Sequence, residues 1–80
     1  MNKVLVIGSI NMDFVVETDK FPVPGETVLG SAFKTFPGGK GANQAVAAQR
    51  LGAQVTMLGC VGNDDSGNAM LRHMKTEGVN

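Results

Sequence analysis

KVLVIGSI, residues 3–10, decides how the chain is read. It is a nearly unbroken run of aliphatic and β-branched residues with no polar alternation. Such a run fits a strand buried on both faces, the pattern of parallel sheets covered by helices. Gly8-Ser9 marks its carboxyl end. QVTMLGCV, residues 54–61, is again strand-like and follows a helical stretch. In that stretch Ala42, Ala45, Val46 and Ala48 to Leu51 make a short Ala-rich helix, with Arg50 in its last turn and Gly52 as the stop. Its small side chains let it lie close on a sheet. GNDDSGN, residues 62–68, is loop chemistry leading into a second helix over 66–77, with Met70, Leu71 and Met74 on one stripe and Gly78 at its end.

Between the first strand and the first helix the grammar changes. DFVVET, residues 13–18, reads as a second, less regular strand. DKFPVPGE, residues 19–26, is turn chemistry, because its two prolines fix φ and remove donors. Residues 27–36 mix Val28, Leu29, Ala32, Phe33 and Phe36 with Thr27, Ser31, Lys34 and Thr35, as a strand with one wet face does. These two strands are expected to form a flap, separate from the first strand. Without the flap the order is β-α-β-α, which is doubly wound α/β. Two strands and two helices are too few to cover both faces of a parallel sheet or to pair its edges. Val79-Asn80, just past the helix stop, stands where another strand should begin. The expectation is therefore the N-terminal part of one larger α/β domain, occupying all of residues 1–80, that does not hold its fold alone.

Composition narrows the function. Eighty residues are one small domain at most. Seven Lys+Arg balance seven Asp+Glu, so no positive excess favours nucleic acid or a membrane surface. The apolar share of 42% suits a folded chain. Four Phe with no Trp or Tyr argue against base-stacking platforms. A single Cys excludes an internal disulfide framework and a Cys-rich zinc site, and suits the cytoplasm. Asp13 interrupts the apolar start before any signal-peptide pattern develops, and no stretch approaches a bilayer-spanning length.

The densest chemical signal is Gly38-Gly39-Lys40-Gly41-Ala42-Asn43-Gln44. Three glycines in four positions let backbone approach a ligand closely. The helix begins here, so free N–H groups point from its N-terminus toward an anion or sugar hydroxyls. It is not a Walker A loop, because Lys40 is followed by Gly41 where Ser or Thr is needed. It is not a dinucleotide fingerprint, because position 44 is Gln. A plain structural turn into a helix is the competing reading; Lys40 and Asn43 tip the weight toward a site.

Asn11 and Asp13 follow the first strand, and ligands of open α/β sheets bind at the carboxyl ends of strands. Period two sends both side chains the same way. An amide that donates and accepts beside a carboxylate that accepts can grip adjacent hydroxyls. Taken alone, Asp13 reads as a turn or cap; beside the glycine loop it reads as a ligand. Asp64-Asp65 precede a helix and read as capping rather than metal binding. His73 has no partner at ligand spacing and reads as a boundary residue. Cys60 reads as a small core residue, Met70 and Met74 as core, and Lys3, Lys20, Lys34 and Lys75 as solubilising surface.

Together these pieces resemble the ribokinase-type carbohydrate kinase family. The resemblance rests on Asn11-x-Asp13, on Phe21-Pro22-x-Pro24-Gly25-Glu26-Thr27 and on Gly38 to Ala45, with Gly52 and Gly62 at their spacings, and it covers essentially the whole chain. It implies a doubly wound α/β sheet with a small β-lid, represented here by its N-terminal part, with residues 13–36 as part of the lid. It implies ATP-dependent phosphorylation of D-ribose to ribose 5-phosphate; a kinase for a nucleoside or another sugar, or a non-catalytic binding module, stays open. It further implies that Asn11 and Asp13 hold sugar hydroxyls and that Met12 lines the pocket between them. Gly39 would donate its backbone N–H, Lys40 and Asn43 would reach the sugar, and Gly41 and Ala42 would shape the loop. ATP, Mg2+ and a monovalent cation such as K+ are implied as cofactors, bound by chain beyond residue 80 along with the catalytic base. Homodimerisation through the lid is implied too.

Overall fold

The computed structural model describes residues 2–80. In chain order it contains β1 (Lys3–Ile7), β2 (Asn11–Glu17), β3 (Ala32–Gly38), α1 (Lys40–Arg50), β4 (Gln54–Leu58) and α2 (Asp65–Thr76). β1 and β4 pair in parallel, Val4 beside Val55 and Val6 beside Met57, with α1 as the crossover between them. β2 and β3 form a separate antiparallel ribbon in which Asn11 faces Gly38 and Glu17 faces Ala32. Asn80 lies alongside the free edge of β4: its N–H donates to the Val55 carbonyl (3.0 Å) and its carbonyl accepts from Met57 (2.8 Å). That is the strand onset expected after the second helix.

The core follows from alternation along the parallel pair. Val4, Val6, Val55 and Met57 turn to one face, where Ala42 and Ala45 of α1 and Met70 and Met74 of α2 close over them. Val55 and Met70 are the largest fully buried side chains, and burying each contributes roughly 1.5–3 kcal/mol. α1 lies close because its buried positions are Gly41, Ala42 and Ala45. Gln49 at its end accepts the Val55 N–H through Oε1 (3.0 Å) and so anchors the start of β4.

α2 begins at Asp64, whose Oδ1 accepts the Gly67 N–H at 2.7 Å. This is the capping role expected of the acidic pair. The two helix ends are tied by Arg50, whose guanidinium donates twice to the Glu77 carboxylate. That pairing holds the Glu77 carboxyl below its ordinary range, chiefly by hydrogen bonding.

Both helices lie on one face of the parallel pair, and Leu5, Ile7 and Leu58 on the other face are 61%, 71% and 58% exposed; two helices are too few to cover both faces. Other expectations are corrected. The flap strands are shifted. β2 starts at Asn11 instead of Asp13, and β3 runs from Ala32 through Gly38 instead of over residues 27–36. The shift has a pairing cause: the ladder ends where the Ser31 N–H donates to the Glu17 carbonyl (2.8 Å), and residues 27–30 have no strand left beside them. Pro24 and Gly25 form a turn closed by the Glu26 N–H on the Val23 carbonyl (2.9 Å). β4 stops at Leu58, so Cys60 falls in the following loop and is exposed, not a core residue. α1 starts at Lys40, inside the glycine cluster where the sequence places the helix start.

Candidate functional site

The site region forms where three pieces of chain meet: the link from β1 to β2, the end of β3, and the first turn of α1. The contacts are made by backbone on backbone. Gly39 has φ +96, and a Cβ there would fall 2.7 Å from the Ser9 carbonyl oxygen and 2.9 Å from the Asn11 nitrogen. Only glycine meets both demands. A Cβ on Gly41 would fall 2.8 Å from the Ser9 nitrogen and 2.9 Å from the carbonyl carbon of Gly8. The start of α1 therefore rests directly on the end of β1.

Gly39, at the N-cap position, has no side chain to cap α1. The function passes to Ser9, 32 residues upstream of Gly41: its Oγ accepts the Gly41 N–H at 3.4 Å, and its carbonyl accepts the Ala42 N–H at 2.9 Å. Two of the helix's orphan donors are thus consumed inside the protein. Among the described residues the Gly39 N–H has no backbone or side-chain acceptor and stays available. The N-terminus of α1 offers a ligand fewer donors than a bare helix end would.

Asn11 and Asp13 lie on β2 itself, two residues apart and on the same face, and both are exposed. Asn11 sits directly opposite Gly38. The Asp13 carboxylate lies over Gly38, its oxygens 2.5 and 2.6 Å from where a Cβ would be. The amide and the acid are therefore beside the glycine turn, as the sequence reading required. Lys40 is exposed in the first turn of α1, and Asn43 is exposed one turn further on. Asn43 borders an open groove with Pro37, Val46 and Arg50. Gly41 and Ala42 are buried beneath that turn.

Met12 is placed differently. Alternation sends it to the other face of β2, where it packs against the buried cluster. With Asn11 and Cys60 it borders a cleft of about 200 Å³ beside the loop leading to α2. Sequence reasoning did not single out Ser9, and it gave Gly38 no role of its own within the glycine cluster. Ser9 follows the last strand glycine, where a turn hydroxyl is unremarkable until the partner helix is known. Gly38 was visible only as one of three clustered glycines, with nothing to show which side chain lies over it.

Among the described residues no three His, Cys, Asp or Glu side chains come together as a metal site. With Gly41 and Ala42 donors occupied by Ser9, these residues do not build a triphosphate cradle either. The arrangement suits a neutral, hydroxyl-rich ligand: an exposed amide, an exposed carboxylate, a free backbone N–H and an ammonium.

A doubly wound frame with a ribbon flap and a glycine turn seated on a polar strand end is a carbohydrate-kinase arrangement, and the chain belongs to the pfkB family of carbohydrate kinases, whose pattern matches residues 1–80. It is similar to the ribokinase of Bacillus subtilis (strain 168), with 62% identity over 79 residues, covering 99% of this chain and 27% of that protein. It is similar to the deoxyribokinase of Salmonella typhi, with 44% identity over 77 residues, covering 96% of this chain and 25% of that protein. The structure resembles that of the ribokinase from Cryptococcus neoformans var. grubii serotype A in complex with ADP (TM-score 0.85, 36% identity), covering 100% of this chain and 25% of that one. The fold is ribokinase-like. The chain spans about a quarter of the length of the curated relatives it matches.

Proposed function

We propose that this chain is the sugar-gripping part of an ATP-dependent kinase that converts D-ribose to ribose 5-phosphate. The observation that carries the reading is the Asp13 carboxylate lying over Gly38, next to Gly39, which packs on the Asn11 backbone. Asp13 accepts hydrogen bonds from sugar hydroxyls. Asn11 donates to one oxygen and accepts from another, which fixes the orientation of the ring. The free Gly39 N–H donates to a third position, and Lys40 and Asn43 close the grip from the first two turns of α1. Met12 supports β2 from behind. Phosphoryl transfer depends on holding the acceptor hydroxyl in line, and that positioning is this chain's contribution.

ATP would supply the phosphoryl group, with Mg2+ and a monovalent cation such as K+ neutralising charge. The residues described do not fit those groups, and other parts of such an enzyme would hold them. The β2–β3 ribbon, which runs from Asn11 to Gly38 and so takes in residues 13–36 and two more at each end, is the lid half that excludes water from the sugar. Phe14 and Phe33 meet edge to face on one of its faces, with ring centroids 5.7 Å apart. They are 64% and 63% exposed, an apolar surface that suits a lid-to-lid homodimer. No described helix is long and apolar enough to cross a membrane; with a lone thiol, the cytoplasm is the compartment proposed.

Similarity to a deoxyribokinase makes 2-deoxyribose the specific competitor. A site that hydrogen-bonds the 2-hydroxyl rejects the deoxy sugar strongly. Steady-state kinetics of the full-length protein on both sugars, with wild type and Asp13→Ala, test the reading. Ribose is expected to be preferred, and Asp13→Ala is expected to lower kcat/KM for ribose by roughly tenfold or more, the loss that accompanies a hydrogen bond to a charged group. Equal use of the two sugars would remove the ribose assignment; near-normal kcat/KM in the variant would remove the role of Asp13.

A further inference from the structure

Gly38 closes β3, is buried, and does not have a positive φ. Its backbone therefore places no demand for glycine. Its surroundings do: every atom that a Cβ would strike first belongs to the Asp13 carboxyl group, Oδ2 at 2.5 Å and Cγ and Oδ1 at 2.6 Å. Asp13 pairs with Phe36, so Gly38 is its diagonal neighbour across the ribbon, within reach of a side chain on the same face. The two glycines of the pair thus do different work. Gly39 satisfies backbone against backbone, while Gly38 leaves a space occupied by one functional side chain.

We propose that Gly38 is a positioning residue for sugar recognition: its missing side chain is the seat that holds the Asp13 carboxylate in line with Asn11. This rests on the reading of Asp13 as a sugar ligand. The three atoms nearest a methyl group at position 38 all belong to the movable end of Asp13. The ribbon keeps its register, and the carboxylate turns out of the seat. The consequence is a loss of ribose affinity with no change in the handling of ATP.

The test is a double-mutant cycle in the full-length protein: Gly38→Ala, Asp13→Ala and both together, with KM for ribose, KM for ATP and the melting temperature read for each. Gly38→Ala is expected to raise the ribose KM by about tenfold while the ATP KM stays level. It is expected to add nothing once Asp13 is already Ala. A large effect of Asp13→Ala beside none of Gly38→Ala would overturn the seat and leave the sugar reading standing. No effect of Asp13→Ala on ribose would overturn the sugar reading itself, and the seat with it. A Gly38→Ala effect that persists at full size in the Asp13→Ala background would show that Gly38 acts on something else. Should Gly38→Ala fail to fold, the double variant is expected to fold again, because the obstructing carboxylate is gone; a double variant that stays unfolded would also overturn the proposal.

Discussion

Replacing Gly41 by Ala sets two physical effects of opposite sign against each other. Gly41 lies in the first turn of α1, where alanine is favoured over glycine by about 1 kcal/mol. Propensity alone predicts a more stable protein. The contacts predict the reverse. The added Cβ would meet the Ser9 nitrogen at 2.8 Å and the Gly8 Cα and carbonyl carbon at 2.9 Å, where ordinary contact starts at 3.4 Å. All three are backbone atoms of a strand end and cannot swing aside. α1 must lift from β1 by roughly half an ångström, which costs about 1–3 kcal/mol as overpacking. The lift also stretches the Ala42 N–H bond to the Ser9 carbonyl, now 2.9 Å, worth about 0.5–1.5 kcal/mol. The net expectation is a loss of about 0.5–3.5 kcal/mol, read as a lower urea midpoint at unchanged m-value in the full-length protein. A variant as stable as the parent, or more so, would refute the claim that the helix start is seated on strand backbone.

Three further outcomes follow from the same structure. Asp64→Ala removes the acceptor of the Gly67 N–H and should lower stability by about 1 kcal/mol; Asp64→Asn should recover most of it, and thermal melts of the pair check both. Glu77 has a lowered pKa through its pairing with Arg50, so its contribution is full above the ordinary carboxylate range and is lost as pH falls through the lowered value; denaturation from pH 7 to pH 2 should show a shallower acid decline in Glu77→Gln, and an identical decline would remove the pair from the acid response. Phe33→Glu places a charge in the exposed apolar face of the ribbon; on the proposed lid-to-lid association, sedimentation should show a dimer for the parent and a monomer for the variant, and equal masses would count against that association.

The parallel pair was legible because VLVI at 4–7 is an unbroken apolar run and QVTML at 54–58 sets Val55 and Met57 at strand spacing. The second helix was legible at its cap, since Asp64 acts on a residue three positions away and needs no tertiary partner. The flap boundaries were not. Where β3 begins is set by where β2 ends, and Glu17 is the last residue able to receive a partner. The nearness of Asn11 and Asp13 to the glycine turn was legible, since period two and strand-end placement are local rules. Its support was not: the hydroxyl that caps α1 belongs to Ser9, in another element, and the space above Gly38 has meaning only once the diagonal neighbour is known. Met12 shows the limit of adjacency, because alternation turns the residue between Asn11 and Asp13 toward the buried cluster.

A crystal structure of the full-length protein with ribose bound tests the central claim most directly. The sugar is expected beside β2, with its hydroxyls within hydrogen-bonding distance of the Asn11 amide, the Asp13 carboxylate and the Gly39 N–H at once. Ribose seated elsewhere, or touching the glycine turn without Asn11 and Asp13, would contradict it.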